Sequence, residues 1–218
     1  MKYRIIMLIL AVFFVVQANS QEIVTADRYL EMVAERYNSI RDFEAQIVIR
    51  SGSTDMYGTI SYLTPSFLRI DFTRPAEQVI TFNGELLTVY LPEYRASLNQ
   101  QVSRRSAGGL GLVLFRRGYV ASFVTGPDPV PLEGTQEMVV RVRLVRRSAG
   151  EGFREIILNI NPSSRLIRRI EGRTIAEGLV QFDFSNIRTN QGIPALRFVY
   201  DSPPTANVYN NFLFRDNE

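Results

Sequence analysis

The chain lacks the side chains that most enzymes use for catalysis. Its 218 residues include no histidine and no cysteine, which removes imidazole bases, thiol nucleophiles and the usual zinc ligands. Carboxylates remain, either as a pair for glycoside hydrolysis or as an oxygen-only metal site. The candidates Glu31, Glu35, Asp71 and Asp183 are scattered along the chain. Catalysis is therefore disfavoured, and neither a metal nor a cofactor is expected.

Arginine supplies nearly all of the positive charge. The chain has 25 Lys and Arg against 22 Asp and Glu, a balance that disfavours nucleic-acid binding, which needs concentrated neutralisation of phosphates. Four arginine pairs are interpreted as a solvated outer face. Docking to anionic head groups or to an acidic partner is the alternative. The pairs are Arg104-Arg105, Arg116-Arg117, Arg146-Arg147 and Arg168-Arg169.

The N-terminus has the pattern of an export signal. Lys2 and Arg4 precede an apolar run over residues 5–16, and Ala18-Asn19-Ser20 offers small residues for cleavage. A membrane-spanning helix needs about 20 apolar residues, so the run is too short to be one. We predict a cleaved signal peptide over residues 1–20, then one exported domain over residues 21–218. Without cysteine, that domain depends on its core and not on disulfides.

An amphipathic helix is predicted to precede a series of short strands. Thr25 can cap a helix that runs to about Ile40, with apolar residues at helical spacing. From Phe43 the period changes to two, and turn signals such as Asn83-Gly84 separate the alternating segments. The last predicted strand is Leu196 to Tyr200. This pattern favours an antiparallel sheet that curls.

Such a sheet needs a cover for its apolar face. The candidates are the N-terminal helix and the segment from Ser106 to Val124, which is glycine-rich and then apolar and is interpreted as inserted short helices. We therefore predict a mainly β fold, a curled antiparallel sheet with a helical lid over its concave side. Its interior is either an ordinary core or, if the sheet is wide enough, a hydrophobic ligand cavity.

An ordered set of residues runs from Gly58 to Pro92. It consists of an apolar strand, a proline turn, a second apolar strand, another proline, a D/N-G hairpin and a Y-x-P ending. The residues are Gly58, Ile60, Tyr62, Pro65-Ser66-Phe67-Leu68-Arg69-Ile70-Asp71-Phe72, Pro75, Asn83-Gly84, Leu87, Val89, Tyr90 and Pro92. This set resembles the periplasmic outer-membrane lipoprotein carrier (LolA) family, with weaker similarity in the N-terminal helix and from Phe198 to Val208.

The resemblance implies an unclosed and curled antiparallel β barrel whose helical lid opens over a hydrophobic cavity. It also implies a carrier and not an enzyme. Members receive lipoproteins from an inner-membrane ABC transporter, shield the acyl chains as a chaperone and pass them to an outer-membrane acceptor. We expect a monomer. The acyl-binding cavity would be lined by Ile47, Ile49, Ile60, Tyr62, Leu68, Ile70, Phe72, Ile80, Phe82, Leu87 and Val89. The lid would present Leu30, Val33, Tyr37, Leu110, Leu112, Leu114 and Phe115.

Two features depart from the family pattern. In its best-known branch an arginine precedes the first turn proline and holds the lid closed through hydrogen bonds. This chain has Thr64 at that position, which has no charged guanidinium group to form them. Aromatic-rich positions of that branch correspond to Ile70 and Thr88, which predicts a more aliphatic cavity. The alternative function on the same fold is an envelope sensor that binds a lipid or misplaced lipoprotein and signals to a membrane partner.

Overall fold

The computed structural model describes residues 24–102, 118–147, 153–176 and 178–212. Within these ranges the chain forms one α-helix, α1 (Ala26–Asn38), two short 3-10 helices (Pro92–Tyr94 and Ala195–Phe198) and thirteen strands. The strands are β1 (Asp42–Ser51), β2 (Thr54–Leu63), β3 (Phe67–Arg74), β4 (Val79–Phe82), β5 (Leu86–Leu91), β6 (Ala96–Gln101), β7 (Tyr119–Phe123), β8 (Val130–Pro131), β9 (Met138–Arg146), β10 (Phe153–Ile160), β11 (Ile167–Thr174), β12 (Leu179–Thr189) and β13 (Asn207–Asn210). No helix in these ranges is long and apolar enough to cross a membrane.

The strands follow one another across a single sheet in the order β13-β6-β5-β4-β3-β2-β1-β12-β11-β10-β9-β7, and β8 pairs with β9 beside this path. The sheet is open, with β13 and β7 at its two ends, which confirms the mainly β, unclosed fold. One pair corrects the expectation of a wholly antiparallel sheet, because β13 runs parallel to β6. After β12 the chain crosses to the far edge of the sheet and arrives there in the direction of β6.

Helix α1 begins where the sequence predicts. The side-chain oxygen of Thr25 accepts a hydrogen bond from the backbone N–H of Arg28 at 3.2 Å, which caps the helix. Leu30 and Val33 are buried against the inner side chains of β9, β10 and β11. The Tyr37 hydroxyl accepts a hydrogen bond from the backbone N–H of Ile167 at 3.0 Å. The helix therefore packs on one face of the sheet, called here the helix-side face.

The segment from Ser106 to Val124 is predicted to form short helices, but its last residues form a strand. Leu110, Leu112, Leu114 and Phe115 lie outside the described residues, as does the predicted signal peptide. Residues 119–123 form β7, so the expectation of a helix is wrong there. The reason is packing, because β7 pairs antiparallel with β9 and turns Tyr119, Ala121 and Phe123 towards α1.

Leu196 to Tyr200 is not a strand, contrary to the prediction. It belongs to residues 194–202, called here the strap, which include the 3-10 helix Ala195–Phe198. The Phe198 side chain is fully buried and its ring lies 5.6 Å from that of Phe67. The strap crosses the face of β3, β4 and β6 opposite the helix-side face, called here the strap-side face.

Side chains of the sheet bind the backbone of the strap. Arg69 donates hydrogen bonds to the carbonyl oxygens of Arg197 and Val199 at 3.1 and 3.2 Å. The Thr81 hydroxyl donates to the carbonyl oxygen of Phe198 at 3.1 Å. In a regular strand these carbonyl groups would be bonded by the neighbouring strand. Here the side-chain donors of the sheet bond them instead, so an irregular segment can pack on the sheet.

Candidate ligand-binding face

The register of β1 to β5 brings the predicted cavity residues together. Side chains alternate along a strand and align across paired strands, so residues of equal parity in registered strands share a face. One row is Phe43, Tyr62, Leu68, Phe82 and Leu87, and the next is Ala45, Ile60, Ile70, Ile80 and Val89. Ile47, Ile49 and Phe72 lie on the same side. All eleven predicted cavity residues therefore lie on the helix-side face.

The exposure of these side chains increases along the sheet. Towards β1 and β2 they are buried, as for Ile47 at 3% and Ile60 at 7% exposed, and Ile49, Tyr62, Ile70 and Phe72 are buried too. Towards β4 and β5 they are only half-buried. The half-buried set, called here the open apolar surface, is Leu68, Ile80, Phe82, Leu87 and Val89.

The strap-side face of the same strands is more completely covered, and besides apolar side chains of β4 and β5 it buries hydroxyl groups. Thr81, Thr88 and Ser97 are buried there, with 3%, 5% and 1% of their surface exposed. Ser97 shares a hydrogen bond of 2.7 Å with Ser202 of the strap, and Thr88 bonds the side-chain oxygen of Asn99 at 3.1 Å. Thr88, which corresponds to an aromatic-rich position of the family, therefore lies on the face away from the predicted cavity.

The two faces of these strands therefore differ in how completely they are covered. Apolar surface left in water loses about 25 cal/mol per Å² relative to burial, while buried hydroxyl groups are tolerated only when they are hydrogen-bonded. Here the hydroxyl side chains are enclosed under the strap and the aliphatic ones stay half-open. A contiguous apolar surface of this kind is typical of a site that binds an apolar ligand.

Helix α1 covers a different half of the helix-side face. Its apolar side packs on a cluster formed by β9, β10 and β11, whereas the side chains of β1, β2 and β3 form a second cluster. Tyr37 contacts both clusters, and burial raises the pKa of its phenol to about 12, with the Ile167 N–H hydrogen bond acting in the opposite direction. Tyr37 therefore lies between the cluster under α1 and the buried cluster of β1, β2 and β3.

Thr64 lies in the turn between β2 and β3, close to the end of α1. Its backbone N–H donates to the carbonyl oxygen of Arg41 at 2.8 Å, and Arg41 joins α1 to β1. The Thr64 side chain is exposed. The position is thus near the helix, as a latch requires, while the latch role itself stays a prediction.

The candidate carboxylates do not come together. Asp71 pairs with Arg69 and with Arg197 of the strap. Asp183 on β12 pairs instead with Arg50 of β1 and Arg169 of β11. In the part of the chain that the structure describes, no group of three or more acidic residues is arranged to hold a metal ion. Burial tends to raise the pKa of Asp71, but hydrogen bonds and charge from Arg69 and then Arg197 outweigh it and lower that pKa.

A polar cavity of about 470 Å³ lies on the face of β1, β11 and β12 away from the helix. Its walls include the ion pairs Arg169–Asp183 and Arg168–Glu137, the latter at 2.8 Å. Such charged walls do not suit a hydrocarbon chain. The pair Arg168-Arg169 is bound by acids of the same chain, so it does not form a free docking patch.

The sequence predictions missed parts of the helix-side face. Leu98 of β6 lies opposite Val89 and extends its row, but the segment ASLNQQ alternates too weakly to indicate a strand. Phe182 and Phe184 of β12 pack on the cluster formed by β1, β2 and β3. Their alternation with Gln181 and Asp183 indicated a strand, but it could not show that this strand pairs with β1. Tyr29 of α1 was missed because it lies one residue before the predicted stripe at Leu30.

A family model and a curated relative that match this chain carry the same description. The model of the family "Outer membrane lipoprotein carrier protein LolA" matches residues 43–201, which include every strand of the open apolar surface. An outer-membrane lipoprotein carrier protein of Bordetella avium (strain 197N) is 24% identical over 185 residues, which cover 84% of this chain and 85% of the relative.

Solved structures share the fold at low sequence identity. An uncharacterized conserved protein from Thermus thermophilus has a TM-score of 0.56 at 12% identity, covering 83% of this chain and 98% of that one. MucB in the Pseudomonas aeruginosa MucA/MucB complex has a TM-score of 0.54 at 13% identity, covering 84% of this chain and 63% of that one. At these identities the likeness concerns the fold alone.

Proposed function

Since the chain belongs to the outer membrane lipoprotein carrier protein LolA family, we propose that it binds the acyl chains of lipoproteins and carries them through the periplasm from the inner to the outer membrane. The observation that carries this proposal is the open apolar surface on β3, β4 and β5, which lies on the helix-side face but apart from the strands β9, β10 and β11 on which α1 packs. The donor would be an inner-membrane ABC transporter, and the acceptor would lie at the outer membrane.

The energetics of the surface support a carrier. Burying one methylene contributes about 0.8 kcal/mol, so a chain of about fifteen methylenes could gain on the order of 12 kcal/mol before costs. Cargo held that firmly leaves only if the site loses contacts again. A carrier therefore needs a rearrangement that returns part of the bound chain to water when the cargo is released.

A charged side chain on the open apolar surface tests the proposal. Leu68→Arg is expected to abolish binding of a fluorescent diacylated lipopeptide while the protein stays folded, because a half-buried side chain can turn its charge to water. Val145→Arg is the matched control, since Val145 is 42% exposed and lies on the other face of β9. Binding and circular dichroism are measured for both variants.

The outcomes of this experiment distinguish an acyl-binding site at Leu68 from a solid core and from a site elsewhere. A folded Leu68→Arg that no longer binds, beside a control that does, supports an acyl site. An unfolded Leu68→Arg would mean that the face is solid core, and a folded variant that binds normally would place the site elsewhere. Native mass spectrometry of gently purified protein adds an independent readout, bound acyl species.

The second candidate is an envelope sensor on the same fold, and the similarity to MucB, solved in complex with MucA, favours it. A carrier should release bound lipopeptide to an acceptor in a second membrane. A sensor should retain the lipid and bind a partner protein only when loaded. A transfer assay between inner-membrane and outer-membrane vesicles separates the two functions.

A further inference from the structure

The open apolar surface continues beyond β5 to the edge of the sheet. Val89 lies opposite Leu98 of β6, and Leu98 lies beside Tyr209 of β13 in the parallel register. Because registered neighbours share a face, Tyr209 lies on the helix-side face. The hydrogen bond between the side chains of Asn99 and Asn210, at 3.3 Å, agrees with this, since Asn99 lies on the strap-side face and Asn210 follows Tyr209.

The row of side chains that ends at Tyr209 is closed at one end and open at the other. Ile70 on β3 is 8% exposed, the row's residues on β4, β5 and β6 are half-buried, and Tyr209 on β13 is 54% exposed. In the part of the chain that the structure describes, β13 has a strand neighbour only on its β6 side. A ligand with a bulky polar end can therefore place that end beyond β13, whereas the buried residues of β3 close the other end.

The chemistry of the helix-side face changes in the same direction. The row through Leu87 reaches Gln100 on β6, and the row through Leu91 reaches Asn207 on β13. These two polar side chains flank the row that ends at Tyr209, whose side chain joins an apolar ring to a polar hydroxyl. Tyrosine is enriched where one end of the side chain meets an apolar region and the other end meets water. The face therefore changes from apolar at β4 to amphipathic at β13.

The length of the open part of this row fits one acyl chain. Three strand intervals separate Ile80 on β4 from Tyr209 on β13, and at about 4.8 Å each they span about 14 Å. The hydrocarbon core of a bilayer is about 30 Å thick and holds two acyl chains end to end, so one chain spans about 15 Å. A chain that lies across the strands from β4 to β13 therefore fills the row and has one end at the edge of the sheet.

We propose that a bound acyl chain lies across the strands of the helix-side face, with its methyl end at β4 and its carbonyl head at Tyr209, so that the attached peptide leaves the carrier over the edge formed by β13. This proposal rests on the proposed lipid-binding function and adds Leu98, Tyr209 and a direction of the ligand to the site. The opposite direction would place the polar head among the apolar side chains around Ile70 and Ile80, where loss of hydration is unfavourable. It would also bring the methyl end to the exposed edge, where less of it is buried.

Two diacylated lipopeptides with chains of palmitoyl length test the direction in the wild-type protein. One carries a diazirine near the carbonyl end of each chain and the other carries it near the methyl end. Crosslinked residues are identified by peptide mass spectrometry. The first probe should label Leu98 and Tyr209, and the second should label Ile80 and Phe82. The reverse pattern would overturn the proposed direction, as would identical labelling by the two probes.

Tyr209 and Val208 form a matched pair for testing the contact at the edge. They are neighbours on β13 with 54% and 55% of their surface exposed, but Val208 lies beside Ser97 on the strap-side face. Tyr209→Ala should weaken lipopeptide binding roughly fivefold, while Val208→Ala should bind as the wild type does. Equal affinities of the two variants would overturn the contact at β13 and leave lipid binding on β4 and β5 intact. If the wild type binds neither lipopeptide, the proposed function falls as well.

Discussion

Ile70 and Ile80 form a matched pair for testing whether the helix-side face is partly reserved for a ligand. They are the same residue type, they face each other across β3 and β4, and both point to the helix side. Ile70 is 8% exposed, whereas Ile80 is half-buried. Truncating each to alanine removes the same three carbons from neighbouring points of one surface.

The two truncations should act on different equilibria. Three buried carbons are worth about 2.4 kcal/mol at about 0.8 kcal/mol each. Ile70→Ala loses all of that in the ligand-free protein and leaves a cavity, so its unfolding free energy should fall by about 2–5 kcal/mol, with affinity nearly unchanged. Ile80→Ala should lose less stability, and the exposed part of its side chain, up to about a third or about 0.8 kcal/mol, should appear as up to roughly fourfold weaker lipid binding.

Urea denaturation followed by circular dichroism gives the stability change, and titration with a fluorescent diacylated lipopeptide gives the affinity. The reasoning is refuted if the two variants lose equal stability and equal affinity, because the exposure difference between β3 and β4 would then have no connection to ligand binding. A large stability loss for Ile80→Ala with unchanged affinity would mean that β4 contributes only to the core.

Three further perturbations test the elements around this surface. The pKa of Asp71 is lowered below its ordinary value of 3.8 in the folded protein. Its contribution to stability is therefore present at neutral pH and is lost as the pH falls below that value. The free energy of unfolding of Asp71→Asn should depend less on pH in this acid range, and identical pH profiles would contradict this. Gly58→Ala should lower stability by about 1–3 kcal/mol, since its Cβ would lie 2.5 Å from the Asp71 carbonyl oxygen. Gly118→Ala, which meets nothing within 4 Å, is the control and should change little. Thr64→Arg places a cation by the C-terminal end of α1, where it is favourable, and should slow lipid uptake and release in stopped-flow measurements; unchanged rates would argue against a latch at this position.

Local patterns in the sequence predicted the helix and the orientation of the strands. Thr25 caps α1 as expected, and the period of two from Phe43 onward places Ile47, Ile60 and Ile70 on one face. These signals work because a helix cap and strand alternation depend on neighbours within a few residues. The family resemblance over residues 58–92 added the open barrel, which periodicity alone could not distinguish from a closed one.

Contacts between distant residues decided what the sequence could not predict. Leu196, Phe198 and Tyr200 alternate like a strand, yet Phe198 is buried and Leu196 is 78% exposed because the strap is held by Arg69 and Thr81, more than a hundred residues earlier. Tyr119 to Phe123 follow a glycine-rich stretch that masks their alternation, and β9 draws them into the sheet. Burial of Thr88 likewise depends on Asn99 and the strap-side cover.

Photo-crosslinking maps the acyl chains directly. A lipopeptide with a diazirine in the middle of each acyl chain is bound to the purified protein, irradiated, and the crosslinked residues are identified by peptide mass spectrometry. Crosslinks should concentrate on β3, β4 and β5 at Leu68, Ile80, Phe82, Leu87 and Val89. Crosslinks that fall mainly on the strap or on the polar cavity of β1, β11 and β12 would contradict an acyl site on the helix-side face.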